Sequence, residues 1–466
     1  MLYYDNKQNI HYGAFIMTDT RTMADGTVYS RRKEFCPFST YPLEFYKSIA
    51  SDEKLERLQR ISQRLKGLKI LELNSSAQGG GVAEMLYSMI PFLDMIGIEA
   101  EWKIILGKKN YFECTKKLHN LLQGMRGSFS AEMKSTYRNQ LEECVDYKII
   151  DSSPDIVNIN DPQPMLLCRY LKKSPEYWLW RCHIDIEPAI RSKNGLLTLI
   201  TDWISDYDAA VFSASRYIFP YWPVPKFIIP PFIDPFSEKN REMTEAEIDG
   251  ILTKYGIDRR VPIIAQIGRF DPWKGLERTI ATFRQVREQK KCQLVIAGGA
   301  ASDDPESGRM LDDIYSKTKE DEGIHILNLS LENRLENYRE VNALQRAANV
   351  IMQPSTREGF GLVITEALWK GKPVIAGNVG GIPSQIKNGE TGYFYRNPQI
   401  TAQKILSLLD NPRMAENIGN RGKRYVQEHF LIVDRVTDYL MSIIITMESP
   451  SRRKKLNECV TSFYPW

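Results

Sequence analysis

Apolar positions along the chain fall into runs of two periods, and the first clear example begins at residue 69. Lys69-Ile70-Leu71-Glu72-Leu73-Asn74 reads as a short strand, Gln78-Gly79-Gly80-Gly81 as a turn, and Val82, Met85, Leu86, Met89, Ile90 and Leu93 recur at helical spacing. A strand at 101–106 completes a unit of strand, glycine turn, helix and strand. Pro91 is expected to kink the helix or end it early, because its ring removes a backbone donor and crowds the preceding turn. Apolar runs at 156–159, 178–184 and 209–213 extend the same sheet, with helical stretches between them.

A second alternation follows residue 235. Strands at 262–268, 293–297, 324–329, 350–353 and 373–376 alternate with helices at 276–287, 310–319, 335–347 and 362–370. Such alternation requires parallel pairing, with helices covering both faces of the sheet. Between the two regions, prolines at 220, 223, 225, 230, 231 and 235 are incompatible with central strands and helix interiors, so 219–235 reads as a connection between domains. The expected fold is therefore α/β, with two doubly wound Rossmann-like domains facing each other. Residues 1–40 show no sustained period, and 46–66 read as a charged helix. Ile432, Val436, Tyr439, Leu440, Ile443, Ile444 and Met447 form the stripe of a packed closing helix. The expected division is 1–66 as an extension and helix, 67–235 and 236–427 as the two domains, and 428–466 as the closing helix and a basic tail.

Composition narrows the function. A chain of 466 residues, 42% apolar, is neither a mini-protein nor disordered. Its 62 Lys and Arg against 58 Asp and Glu leave a net charge of +4, too small and too scattered to drive binding to nucleic acid. The basic run Arg452-Arg453-Lys454-Lys455 reads as a solvated tail. Seven cysteines without a C-x-x-C pair suggest reduced thiols in a cytoplasmic protein. The N-terminal residues lack the basic-then-apolar order of a signal peptide, and no apolar stretch approaches the roughly 20 residues of a membrane span.

Candidate chemistry clusters where strands meet helices. Gly79, Gly80 and Gly81 let the backbone approach an anion or a sugar hydroxyl, or simply make a tight turn. Arg269 and Lys274 flank the end of a strand, where two cations neutralise a diphosphate; a salt bridge to Asp271 is the alternative. Glu358 and Glu366 are eight positions apart, separated by up to about 12 Å of helical rise. That exceeds the roughly 5–9.5 Å of a glycosidase pair. It suits two hydroxyl clamps around a phosphate cradle made by the amides of Gly359, Phe360, Gly361 and Leu362, although Glu366 alone also reads as a helix-surface residue. His183 ends an apolar run, poised for a sugar hydroxyl or acid/base work, or satisfied and half-buried. Asp161 ends another, where a ligand competes with turn formation. The Asp303-Asp304 pair, beside Pro305 and Gly308, reads as a loop rather than a metal site.

In this order the segments resemble the retaining GT-B glycosyltransferases of family 4. The resemblance rests on the Gly-Arg-Phe turn with its lysine at 268–274 and on the two glutamates separated by seven residues. Asn74-Ser75-Ser76, 79–84, Asp161-Pro162-Gln163-Pro164, Trp180-Arg181-Cys182-His183-Ile184-Asp185, 230–235, Ser237-Glu238-Lys239-Asn240 and 269–275 are similar to the trehalose-forming branch, the trehalose glycosyltransferring synthases. The similarity covers residues 67–430 or so, departs where Asn160 stands in place of an expected histidine, and leaves 1–40 without a counterpart.

The resemblance implies a GT-B fold with a central cleft and a C-terminal helix crossing back. It puts Arg269 and Lys274 on the donor diphosphate, Glu366 on the ribose hydroxyls, Glu358 and the 359–362 amides on the donor glucose, and His183 near its 6-hydroxyl. Residues 79–81 and Asp161 would face the acceptor. The implied reaction transfers glucose, with retention, from a nucleoside-diphosphate glucose to the anomeric hydroxyl of free glucose, giving α,α-trehalose. It implies those two substrates as partners and no cofactor or metal, and leaves a homodimer open. Alternatives are a trehalose phosphorylase, a family 4 enzyme with another acceptor, and a non-catalytic nucleotide-sugar-binding protein.

Overall fold

Each apolar run becomes the buried spine of one of two sheets. The computed structural model describes residues 19–22, 28–31, 41–76, 80–105, 107–146, 149–150, 153–171, 177–192, 195–299, 305–331, 333–448 and 460–462. In chain order the first sheet holds β1 (Asp19–Thr22), β2 (Val28–Arg31), β3 (Lys69–Asn74), β4 (Glu99–Ile105), β5 (Ile156–Asn160), β6 (Tyr177–Cys182), β7 (Ala209–Phe212) and β8 (Lys226–Ile228). The second holds β9 (Ile263–Ile267), β10 (Gln293–Gly298), β11 (Ile324–Asn328), β12 (Val350–Gln353), β13 (Val374–Ala376) and β14 (Tyr393–Phe394). A last strand, β15 (Val460–Ser462), returns to the first sheet.

The first sheet runs β1-β2-β4-β3-β5-β6-β7-β8-β15 and the second β11-β10-β9-β12-β13-β14. All pairings are parallel except those made by β2, which is antiparallel to β1 and to β4 at one edge. In both sheets the strand order reverses beside the first strand of the repeat, at β3–β5 and at β9–β12. A crevice opens outside the carboxyl ends of strands at such a reversal. This topology is that of a two-sheet GT-B fold.

Several local expectations need correction. The proline-rich stretch is more than a connection: Pro225 and Pro230 bracket β8, whose three residues keep their N–H groups and pair with β7. The helix Gly81–Met95 continues through Pro91. Only one N–H is lost there, close to the helix end, and buried Phe92 and Leu93 hold the last turn against the core. The 46–66 segment divides into a 3-10 turn, Leu43–Ser48, and the helix Asp52–Arg64. Residues 1–40 contribute β1 and β2, which carry no pattern of their own because they are completed by pairing with β4. A further helix, Glu245–Lys254, precedes β9 and starts at a capping box of Thr244 and Glu247. The basic run at 452–455 and the Asp303-Asp304 pair lie outside the described residues.

Two adjacent crossings join the sheets. The Ile233 N–H donates to Phe430 O at 3.0 Å, and the Ile432 N–H donates to Ile233 O at 3.1 Å. The chain then enters the helix Ile432–Glu448, which returns to the first sheet. Ile432, Val436, Tyr439, Leu440, Ile443 and Ile444 are buried there with Leu58 and Ile61 of Asp52–Arg64, each contributing roughly 1.5–3 kcal/mol by burial. The helix is thus part of the first core rather than a surface element.

Candidate active site

A cavity of about 380 Å³ lies where the carboxyl ends of the two sheets face each other. Gly80, Gly81, Asp161 and His183 line it from the first sheet. Arg269, Lys274, Glu358, Gly359, Phe360, Gly361, Leu362 and Glu366 line it from the second. Gly79 lies outside the described residues.

On the second wall, local geometry aims the charges. After β9, Asp271 caps the 3-10 turn Pro272–Lys274 by accepting from the Trp273 N–H at 2.9 Å. Gly275 follows with φ 68°, where a Cβ would come 2.4 Å from Pro354 O. This tight turn brings Lys274 Nζ to 2.6 Å from Glu358 Oε2. Arg269 reaches Asp271 only loosely, at 3.9 Å, and 47% of its side chain is exposed. The salt-bridge alternative therefore leaves most of the guanidinium's donors free for a ligand.

Glu358 sits in the loop after β12, and the loop is pinned from the opposite half. Tyr217 OH lies 2.5 Å from Gly359 O and 3.1 Å from Glu358 O. A Cβ on Gly359 would lie 2.1 Å from His183 O, so the two walls touch at backbone distance here. Gly361, with φ 88°, starts the helix Leu362–Trp369. The Leu362 and Val363 N–H groups have no partner within that helix, and both residues line the cavity. Glu366, one turn further, is 2% exposed rather than a surface residue. Lys239 Nζ pairs with Glu366 Oε1 at 3.1 Å and with Glu84 Oε2, from Gly81–Met95, at 3.0 Å.

Apart from Glu84, the first wall presents groups that burial holds wholly or partly uncharged. Asp161 has φ 65°, the only positive value for a non-glycine among the described residues. Its Oδ1 accepts from the backbone N–H of His183 at 2.8 Å, so turn formation uses one carboxylate oxygen. Burial raises the Asp161 carboxyl to about 7, partly offset by that hydrogen bond and by Arg181. His183 Nε2 lies 2.9 Å from Asn160 Oδ1. Burial, then the Arg181 charge, hold the imidazole well below its usual range, so the ring is neutral at pH 7. Asn160 thus makes a contact with His183 at the position where the resemblance expects a histidine.

Sequence reasoning assigned no role to Glu84, Lys239, Tyr217 or Glu72. Lys239 and Glu84 stand in segments that carry the resemblance, but no local spacing reveals that they meet. Among the described residues no group of three or more His, Cys, Asp or Glu side chains forms a metal-binding set, and no helix is long and apolar enough to cross a membrane.

Comparison with known proteins places this geometry. The family described as "Trehalose synthase, N-terminal domain" matches residues 72–219, and that described as "Glycosyl transferases group 1" matches 248–425. The chain is 42% identical over 403 residues to a trehalose synthase of Pyrococcus horikoshii, spanning 85% of this chain and 95% of that one. It is 38% identical over 394 residues to a trehalose synthase of Rubrobacter xylanophilus, spanning 83% and 92%. Among solved structures, a sucrose-phosphate synthase from Thermosynechococcus elongatus has a TM-score of 0.63 at 16% identity, covering 82% of this chain and 100% of that one. A UDP-forming α,α-trehalose-phosphate synthase from Burkholderia xenovorans has a TM-score of 0.62 at 14% identity, covering 82% and 99%; these two likenesses establish the fold. By sequence identity and by fold, the chain belongs to the trehalose synthase family of GT-B glycosyltransferases.

Proposed function

We propose that the protein is a retaining glucosyltransferase that makes α,α-trehalose from a nucleoside-diphosphate glucose and free glucose. The observation that carries this reading is the Lys274–Glu358 pair, 2.6 Å apart, beside the largely free Arg269 and the first turn of Leu362–Trp369. Two cations and unpaired amides suit a group that gains negative charge as it leaves, whereas a neutral disaccharide has no use for them. Glu358 and Glu366 then bind glucose and ribose hydroxyls, and Gly80, Gly81 and Asp161 face the acceptor.

In the transfer, the bond from glucose C1 to the diphosphate oxygen breaks and a bond to the anomeric oxygen of the acceptor forms on the same face. Charge grows on the diphosphate, so Arg269, Lys274 and the helix amides stabilise the transition state more than the bound substrate. The acceptor's proton passes to the departing phosphate oxygen. The reading requires no divalent metal, and it includes a cytoplasmic setting, supported by five buried free cysteines among the described residues.

Purified protein incubated with ADP-, UDP- or GDP-glucose plus glucose, without added metal, tests it. Released nucleotide and disaccharide are followed by mass and carbon NMR. A symmetric non-reducing disaccharide with one nucleoside diphosphate per molecule is the expected result. Trehalose turnover that requires inorganic phosphate, or trehalose formed from maltose alone, would replace this reading with phosphorolysis or isomerisation.

A further inference from the structure

Behind the first wall, side chains from β3, β5 and the C-terminal helix form a buried hydrogen-bonded chain that the transfer step leaves unexplained. Glu72 on β3, with no exposed surface, accepts from Asn158 Nδ2 at 2.7 Å, Asn160 Nδ2 at 2.7 Å and Tyr439 OH at 2.8 Å. Asn160 Nδ2 also donates to Leu73 O at 3.3 Å. Both amide hydrogens are therefore spent on one side, and Oδ1 faces His183 Nε2 at 2.9 Å. Turning the amide over would set its oxygen against the Leu73 carbonyl, which has no hydrogen to give, and against Glu72 Oε2, which already accepts from Asn158 Nδ2. An amide oxygen only accepts, so His183 Nε2 carries the proton and Nδ1 keeps its lone pair. His183 itself lines the cavity.

We propose that Glu72 and Tyr439 are positioning residues for His183: through Asn160 they hold its imidazole in the Nε2–H form, with Nδ1 as an acceptor for a hydroxyl of the bound sugar. The identity of that sugar rests on the glucosyl-transfer reading, whereas the tautomer rests on the hydrogen bonds alone. Tyr439 belongs to the helix that returns from the second sheet, so this chain of bonds ties the C-terminal helix to the sugar-facing wall.

The test uses the full chain labelled with ¹⁵N-histidine; with five histidines the long-range proton–nitrogen spectrum is sparse, and a His183→Gln sample assigns the signal. The parent is expected to show a protonated Nε2 and an unprotonated Nδ1 at His183. Glu72→Gln frees the Asn160 amide to rotate and should mix the two tautomers, lowering kcat about tenfold with little change in the nucleotide-sugar KM. Tyr439→Phe removes one hydroxyl from the chain and should move both readouts the same way by a smaller amount. An Nδ1–H ring in the parent, or an unchanged ring and kcat in both variants, overturns the proposal. If Glu72→Gln does not fold, Tyr439→Phe decides on the same two readouts. If the parent turns over no nucleotide sugar, the transferase reading fails, and the ring spectra still decide the positioning role.

Discussion

The two walls of the cleft solve the problem of binding a polar ligand in opposite ways. The second sheet presents ions: Lys274 paired with Glu358, Arg269 loosely held, and Glu366 balanced by Lys239. Arg269, Lys274 and Glu358 sit on short turns that line the cavity, whereas the Glu366–Lys239 pair is buried beneath them. The first half, Glu84 apart, presents groups with little charge: an uncharged His183, an amide at Asn160, and Asp161, whose carboxyl burial raises to about 7. These are fixed from behind by buried side chains. A wall of ions can follow a charge that changes during reaction, whereas a wall of neutral hydrogen bonds is suited to holding one shape. The contrast matches a ligand whose one end is anionic and whose other end is a sugar.

Lys239 is where the contrast can be broken most severely, because it pairs with a carboxylate from each half. Lys239→Met leaves Glu366, 3% exposed in its side chain, without its counter-ion, and Glu84 with it. A loss of about 3 kcal/mol in unfolding free energy, read by urea titration, is expected for an ion pair so buried. A change below about 1 kcal/mol would mean that Lys239 adds little to the backbone crossings and the Tyr217 contacts that also join the halves.

Lys274 tests the opposite combination. Its pair with Glu358 is comparably buried, with side chains 17% and 12% exposed, but it lines the cavity and Ser355 Oγ still donates to Glu358 Oε2, so Lys274→Ala should cost less stability than Lys239→Met. It should nevertheless lower kcat/KM at least tenfold, about 1.4 kcal/mol, measured on the donor found to be active. Near-parental turnover would remove Lys274 from the charge-bearing wall and weaken the comparison itself.

How much of this was readable depends on the distance over which each feature is encoded. The second sheet was legible almost strand by strand, because every buried strand is a contiguous apolar run between helices of clear period. β8 was not, since three residues between prolines look like a linker until β7 is beside them. The ionic wall was legible for a related reason: Arg269, Lys274 and Glu358 sit in short motifs at strand ends. Its counter-ion Lys239 was hidden, because Glu84 and Glu366 come from distant segments and meet it only after both sheets have formed. The neutral wall was half legible. His183 and Asp161 stand at strand ends, but the ring is neutral through burial and then Arg181, and the proposed positioning depends on Glu72 meeting Tyr439, which the sequence shows only as one residue of the closing-helix stripe.

The gentlest test asks whether the first wall is truly neutral. Burial raises Asp161 from its ordinary value of 3.8 to about 7, so between those values the folded chain keeps a proton that the unfolded chain has lost. Stability from this group is therefore complete below pH 3.8 or so and declines as pH rises through about 7. Asparagine tolerates the left-handed φ of 65° and can still accept from the His183 N–H, so Asp161→Asn removes the charge with little else. The variant should match the parent near pH 4 and exceed it above pH 7 in unfolding free energy, by at most the roughly 4 kcal/mol that a shift from 3.8 to about 7 carries. Taking the difference between the two proteins cancels Asp185 and Asp234, which burial raises to about 6 and which drive a similar decline. Parallel pH profiles would show Asp161 to be a solvated carboxylate, and the two walls would then differ in geometry but not in charge.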